Sequence, residues 1–75
     1  MIKINGKIMN KDIKELDLSE NKLTYLSKKI GKLTQLTQLN LFYNKLTRLP
    51  VEIGQLTQLT KLYLYNNQLI NLPDA

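Results

Sequence analysis

The chain has 75 residues and a net charge of +5, and it contains neither cysteine nor histidine. The lack of cysteine excludes disulfide bonds and thiolate metal sites in this chain, and the lack of histidine removes the usual general base at neutral pH. A chain of this length buries only about 60% of the surface that its unfolded form exposes, so a stable core requires close packing or association.

The N-terminal segment, residues 1–15, alternates apolar Ile2 and Ile4 as a β-strand does. The dipeptide Asn5-Gly6 that follows favours a tight hairpin turn. Lysines are scattered through this segment without an unbroken apolar run, so it does not resemble a signal peptide. No window of the sequence reaches the ~18 consecutive apolar residues of a membrane span. These features predict a reducing, cytoplasmic location and no membrane association.

From residue 16 onwards the sequence repeats with a period of 23 residues, as the spacing of Asn21, Asn44 and Asn67 shows. Leucines recur in register with these asparagines, and an isoleucine–glycine pair with two further leucines recurs in the first two copies. The matching positions are Leu16/Leu39/Leu62, Leu18/Leu41/Leu64, Leu23/Leu46/Leu69, Leu26/Leu49/Leu72, Ile30/Ile53, Gly31/Gly54, Leu33/Leu56 and Leu36/Leu59.

The segment LTQLTQL, residues 33–39, also fits an amphipathic helix, because its leucines are three residues apart. Threonine is a poor helix former, however, and the segment leads into an LxL pattern, which is the spacing of a strand. The sequence therefore favours a repeat of short strands and turns over a helical bundle.

The repeat LxLxxNxLxxLPxxIGxLxxLxx resembles that of the leucine-rich repeat (LRR) family, and it is similar to the 23-residue variety in Ras-group-related LRR proteins. The resemblance covers residues 16–38, 39–61 and, as a partial copy, 62–75, with Ser27 in place of the proline at Pro50 and Pro73. It implies an α/β solenoid, a fragment of a right-handed, horseshoe-shaped LRR superhelix. A short parallel β-sheet would form its concave face, and short helical or 3-10 turns its convex side.

Asn21, Asn44 and Asn67 follow the predicted strands, where the chain must turn inward. A buried amide side chain there can bond to backbone groups of its own and adjacent coils. We therefore predict that the three asparagines form a structural ladder. Gly31 and Gly54 are predicted to end a short helical turn in the left-handed conformation.

Both ends of the repeat array are irregular, as terminal repeats usually are. Residues 1–15 are interpreted as an N-terminal cap that covers the first coil. The sequence stops soon after Leu72 without a polar capping segment, which predicts an open apolar cross-section around Leu62, Leu64 and Leu69. Two hypotheses follow: the chain is a fragment of a longer array, or it forms an end-to-end dimer through this cross-section.

A solenoid presents its variable strand residues as an extended binding surface. Four of the five aromatic residues in the chain fall at such positions. Exposed aromatic clusters mark interaction sites, although cross-strand pairing of the rings would stabilise the sheet as well. The residues predicted to bind a protein partner are Asp17, Asn40, Phe42, Tyr43, Lys61, Tyr63 and Tyr65.

Binding of nucleic acid or of another anionic surface is a weaker alternative that the net charge suggests. Nucleic-acid surfaces normally combine stacking aromatics and basic residues in one groove. Here Lys28, Lys29 and Lys32 lie on the predicted convex side, away from the aromatic residues. The sequence therefore favours a protein partner.

Catalysis is the third class of function, and the only candidate groups on the predicted face are Glu15, Asp17 and Glu20. An open, shallow face has nothing to desolvate these carboxylates or perturb their pKa values. The sequence also has no nucleophile with a base, no phosphate-binding glycine loop and no metal-ligand spacing. We predict that the protein is not an enzyme and uses no cofactor or metal.

Overall fold

The computed structural model describes residues 1–70, and it begins with a β-hairpin. Strand β1 (Ile2–Ile4) pairs antiparallel with β2 (Lys7–Met9). The turn between them places Asn5 at φ 48° and Gly6 at φ 84°, the two positive values that a tight two-residue hairpin turn requires. The predicted turn at this dipeptide is confirmed. Ile4 and Met9 are buried, so the hairpin contributes to the hydrophobic core.

A three-stranded parallel sheet follows, formed by β3 (Glu15–Asp17), β4 (Gln38–Asn40) and β5 (Lys61–Tyr63) in that order. The register pairs each residue with the one 23 positions later, so that Leu39 lies between Leu16 and Leu62. Each repeat therefore adds one strand, and the predicted short parallel sheet is confirmed.

Two 3-10 helices occupy equivalent places in the first two repeats, η1 at Lys28–Lys32 and η2 at Val51–Gln55, and they pack against each other. The residue before η2 is Pro50, whose ring fixes φ. The residue before η1 is Ser27, whose Oγ accepts a hydrogen bond from the Lys29 amide at 3.2 Å. The serine that interrupts the repeat thus starts its helix with a side-chain cap, where the next repeat uses the fixed φ of proline.

The glycines of the two helices do not adopt the predicted conformation. Gly31 and Gly54 lie inside η1 and η2, and within residues 1–70 only Gly6 among the glycines has a positive φ. A Cβ atom on Gly31 would lie 3.0 Å from the Glu52 backbone oxygen and would overlap Oε1 of Gln55. The prediction of a left-handed helix end is therefore wrong. Gly31 is required for the close approach of the two helices.

Replacing Gly31 by alanine is expected to lower the free energy of unfolding by about 1–3 kcal/mol, because the added methyl group overpacks against the Glu52 backbone. Gly54→Ala is the matched control, since a Cβ there meets no atom within 4 Å. Alanine at that position is expected to be neutral or to stabilise by up to ~1 kcal/mol through the unfolded state. Urea unfolding of both variants measures the difference, and equal effects would contradict this account of Gly31.

The hydrophobic core is formed by the first two repeats together with the N-terminal hairpin. Leu39 is fully buried between its neighbours, whereas the equivalent Leu62 in β5 is 36% exposed. Leu64 and Leu69 are half-buried, and Leu72 of the predicted open cross-section lies outside the described residues. The side chains with the deepest burial are Ile4, Ile30, Leu33, Leu36, Leu39, Leu41 and Leu46.

Candidate binding surface

The outward side of the parallel sheet carries the residues that flank the central leucine of each strand, because successive side chains of a strand point to opposite faces. Glu15 and Asp17 are exposed on β3, and Gln38 and Asn40 are half-buried on β4. The strand register aligns these residues in two columns, Glu15–Gln38–Lys61 and Asp17–Asn40–Tyr63. The predicted residues Asp17, Asn40, Lys61 and Tyr63 thus lie side by side on one face.

The coils remain hydrogen-bonded to one another after the strands end. The Glu20 amide donates to the Phe42 carbonyl at 3.0 Å, and the Tyr43 amide donates to the Tyr65 carbonyl at 3.2 Å. The first bond joins the first and second coils, and the second bond holds the coils of Phe42 and Tyr65 next to each other. The predicted aromatic residues Phe42, Tyr43 and Tyr65 therefore lie just beyond the strands, in the segments that follow β4 and β5.

Phe42, Tyr43 and Tyr65 form one aromatic cluster. The rings of Phe42 and Tyr65 are stacked, with centroids 5.0 Å apart and planes within 4° of parallel. The Tyr43 ring stands nearly perpendicular to both, at 5.1 Å from Phe42 and 6.3 Å from Tyr65. Tyr43 is 51% exposed and Tyr65 is 58% exposed, so the cluster presents ring surface to solvent. The fourth predicted aromatic, Tyr63, is half-buried and is not part of these ring contacts.

The residue before each repeat asparagine has a left-handed backbone. These residues are Glu20, Tyr43 and Asn66, with φ of 57°, 58° and 59°. This conformation is uncommon for a bulky residue such as tyrosine and costs roughly 1–2 kcal/mol. The inter-coil hydrogen bonds and the asparagine that follows hold the backbone there. The bend after each strand therefore sets the direction of the Tyr43 ring.

Asp17 and Asn40 are held by short-range hydrogen bonds on the outward face. Asp17 Oδ1 accepts hydrogen bonds from the Ser19 hydroxyl at 2.6 Å and from the Ser19 amide at 2.9 Å. These two bonds lower the pKa of the Asp17 carboxyl. Desolvation opposes them, and the charge of Lys7 makes the smallest contribution to the lowering. Asn40 Oδ1 accepts from the Phe42 amide at 3.2 Å in the same way. Asn40 thereby orients the backbone that carries Phe42.

Asn44 joins the first and second repeats through its side chain. Its Nδ2 donates to the carbonyl oxygens of Leu18 at 3.0 Å and Leu41 at 2.9 Å. Its Oδ1 accepts from the amides of Asn21 and Leu23, both at 3.0 Å. The Asn44 side chain is buried, and its bonds to the two carbonyls satisfy buried backbone groups of both repeats. The bonds from the Asn21 and Leu23 amides are only partly buried.

Asn67 repeats this arrangement one coil further on. Its Nδ2 donates to the carbonyl oxygens of Leu41 at 2.8 Å and Leu64 at 2.9 Å, and its Oδ1 accepts from the Leu46 amide at 3.0 Å. Asn21 differs, because it is exposed and its Nδ2 donates to the nearby Ser19 carbonyl at 3.0 Å. The inter-coil side-chain bonds of the ladder are therefore seen at two of the three predicted asparagines. The hairpin before the first repeat presents no parallel strand to Asn21.

Sequence reasoning missed Asn5, which joins the hairpin to the first repeat. Asn5 Nδ2 donates to the Tyr25 carbonyl at 2.8 Å, and the Ser27 amide donates to Asn5 Oδ1 at 2.8 Å. The Asn-Gly pattern indicated a turn but gave no sign of this contact, which lies about 20 residues away along the chain. A cavity of about 170 Å³ lies beside Asn5 and is lined by Asn5, Lys7, Leu18, Asn21 and Leu23. None of these residues belongs to the aromatic cluster.

The structure thus shows stacked coils that each contribute one parallel strand and, in the first two repeats, a 3-10 helix, which is the architecture of a leucine-rich repeat solenoid. The family model of the leucine-rich repeat matches residues 11–69. The chain belongs to the leucine-rich repeat family. The family points to a non-enzymatic repeat domain.

Among solved structures, the chain is similar to an LRR protein of Leptospira interrogans, with 52% sequence identity and a TM-score of 0.82. The match covers 84% of this chain but only 16% of that chain, so this sequence spans a small part of its relative. A comparison with curated protein sequences found no match. In the described part of the chain, no helix has the length and apolar character needed to cross a membrane.

Proposed function

We propose that the protein is a non-enzymatic interaction module that binds a protein partner through the outward face of its parallel sheet. In this proposal the coils follow a right-handed superhelix with the sheet on its concave side. Residues 1–15 act as an N-terminal cap, and residues 16–75 form the repeats. Membership of the LRR family supports this class of function, because repeat solenoids commonly use the sheet side as an extended binding surface.

The aromatic cluster is the observation that carries the proposal. Tyr43 and Tyr65 expose more than half of their surface although both rings contact Phe42. Large aromatic side chains are enriched among the residues that dominate binding energy, since they bury much apolar area with little loss of conformational entropy. We assign to the cluster the main contact with the partner.

The remaining predicted residues surround the cluster with polar groups. Asp17, Asn40 and Tyr63 form one column on the sheet, and Lys61 lies at the end of the other. Asp17 and Asn40 already accept backbone hydrogen bonds of their own coils, so their positions are defined before a partner binds. We assign to these four residues the selection of the partner through hydrogen bonds and charge.

Ring stacking alone stabilises a protein by about 0.5–1.5 kcal/mol per pair, so a purely structural role must be separated from binding. Phe42→Ala and Tyr65→Ala are expected to reduce stability by about that amount and to leave the protein folded. Each is also expected to weaken partner binding by about 30-fold, the effect of losing a dominant interface residue. Selection of binding peptides from a random linear library, followed by affinity measurement on wild type and variants, provides the test.

Tyr25→Ala is the matched control, because Tyr25 is 63% exposed and makes none of the ring contacts of the cluster. Its backbone carbonyl, which accepts the hydrogen bond from Asn5, remains in the variant. Peptides that bind the wild type and Tyr25→Ala equally, but not the cluster variants, support the proposal. A library that yields no peptide dependent on Phe42 or Tyr65 contradicts it.

Self-association through the C-terminal end of the array is a second candidate, favoured by the exposure of Leu62 and Ile70 in the third repeat and of Val51 in η2. β5 is also an edge of the sheet within the described residues, so its outer backbone groups are free to pair with a second chain. A folded dimer would put these residues at the interface. Light scattering over a range of protein concentrations distinguishes this candidate from a monomeric module.

A further inference from the structure

We infer that the aromatic cluster receives a basic side chain, best an arginine, from an extended segment of the partner. This inference rests on the proposed function and names the chemistry of what binds there. The face of an aromatic ring is the negative side of its quadrupole and attracts a guanidinium or ammonium group. Tyr43 and Tyr65 each leave more than half of their surface exposed, so ring surface is available for such a contact. Arginine suits the site better than lysine, because its planar group stacks on aromatic rings.

The charge next to the cluster has the matching sign. Glu20 occupies in the first repeat the position of Tyr43 in the second, and its amide is bonded to the Phe42 carbonyl at 3.0 Å. Glu20 is exposed and lies on the coil next to that of Tyr43, and parallel strands of adjacent coils are about 4.8 Å apart. A guanidinium on the Tyr43 ring can therefore also reach the carboxylate of Glu20.

The rest of the sheet face supports a basic partner segment over an acidic one. The first-repeat edge carries the exposed carboxylates of Glu15 and Asp17, and the strand residues of the face include a single cation, Lys61. Lys22 and Lys45 are exposed beyond the asparagines. The three lysines of η1 lie outside the sheet, and a Debye length of about 8 Å in physiological salt limits their effect on it.

An extended segment suits the face because the carboxylates and the rings are spread across neighbouring coils instead of lining a closed pocket. A basic side chain at the cluster would meet the rings and Glu20. A second one at the edge of the sheet would meet the carboxylates of Glu15 and Asp17, where it competes with Lys7, whose charge already acts on Asp17. The cavity beside Asn5 shares no residue with the cluster and takes no part in this contact.

The test is an NMR titration with three short blocked peptides of alternating residues: serine–arginine, serine–citrulline and serine–glutamate. Citrulline keeps the shape of arginine and removes its charge. The serine–arginine peptide is expected to shift the amide signals of Phe42, Tyr43 and Tyr65. The citrulline peptide is expected to bind about tenfold more weakly.

Two variants of the protein complete the test. Glu20→Gln is expected to weaken binding of the arginine peptide about two- to threefold and to leave binding of the citrulline peptide unchanged. Tyr25→Ala is expected to change the binding of neither peptide.

Equal binding of the arginine and citrulline peptides overturns the inference, as does tighter binding of the glutamate peptide or the absence of shifts at the cluster with the arginine peptide. The library selection keeps the two proposals apart. Peptides that depend on Phe42 and Tyr65 but contain no arginine or lysine would leave the proposed function standing and overturn this inference alone.

Discussion

Asn44→Ala is expected to lower the free energy of unfolding by about 2–4 kcal/mol. The substitution removes the side-chain partner of the Leu18 carbonyl and of the Asn21 and Leu23 amides. The Leu41 carbonyl loses one of its two donors and keeps the hydrogen bond from Asn67. A buried polar group left without a partner costs about 1–3 kcal/mol, and partial access of water to the strand ends keeps the total below the sum. Urea unfolding followed by circular dichroism measures the loss.

Asn21→Ala is the control within the same column of the repeat. Asn21 is exposed, and its side chain donates to the Ser19 carbonyl, so its removal is expected to cost no more than about 0.5 kcal/mol. Similar losses at Asn21 and Asn44 would show that position in the repeat, and not the inter-coil hydrogen bonding, determines stability. If Asn44→Ala is already unfolded without urea while Asn21→Ala is folded, the expected difference between the two variants is confirmed.

Leu39→Ala is expected to lower the free energy of unfolding by about 2–5 kcal/mol, because Leu39 is fully buried and alanine leaves a cavity at the centre of the core. Leu62→Ala changes the same atoms at the equivalent position of β5, where the side chain is 36% exposed. Less area is removed from water there, so we expect a loss of about 1–2 kcal/mol. The comparison is made by urea unfolding at low protein concentration.

The effect at Leu62 also reports on what covers the third repeat. A loss that matches that of Leu39→Ala would contradict the exposure of Leu62. A loss that grows with protein concentration would indicate that a second chain covers it, since association stabilises the folded state by mass action. A small loss that does not depend on concentration is the result that the described structure predicts.

The repeat in the sequence determines the strands and their register. The LxL pattern places Leu39 inward and its neighbours outward, and the period of 23 residues then aligns Leu39 with Leu16 and Leu62. Strand neighbours in the sheet are 23 residues apart, which is also the period of the repeat. Columns such as Asp17–Asn40 could therefore be predicted from sequence positions alone.

The aromatic cluster was predictable only in part. The period predicts that Phe42 and Tyr65 lie side by side, but not that their rings stack within 4° of parallel. The period also does not predict that the Tyr43 ring contacts these two rings, or that the Tyr63 ring does not. The direction of a side chain depends on backbone angles such as the φ of 58° at Tyr43. Those angles are set by hydrogen bonds between coils.

What the sequence by itself determined is therefore the set of features that recur at the period: the leucine rows, the strand register and the asparagine column. Only the tertiary structure decided the features that depend on which coil lies next to which. Gly31 is packed tightly because η2 lies against it, whereas Gly54 meets no neighbour within the described residues. Asn21 is exposed because a hairpin, and not a coil, precedes it, and Asn5 of that hairpin bonds to the first repeat instead. The physical reason is that a repeated residue has a repeated role only where its neighbours in space are repeated too.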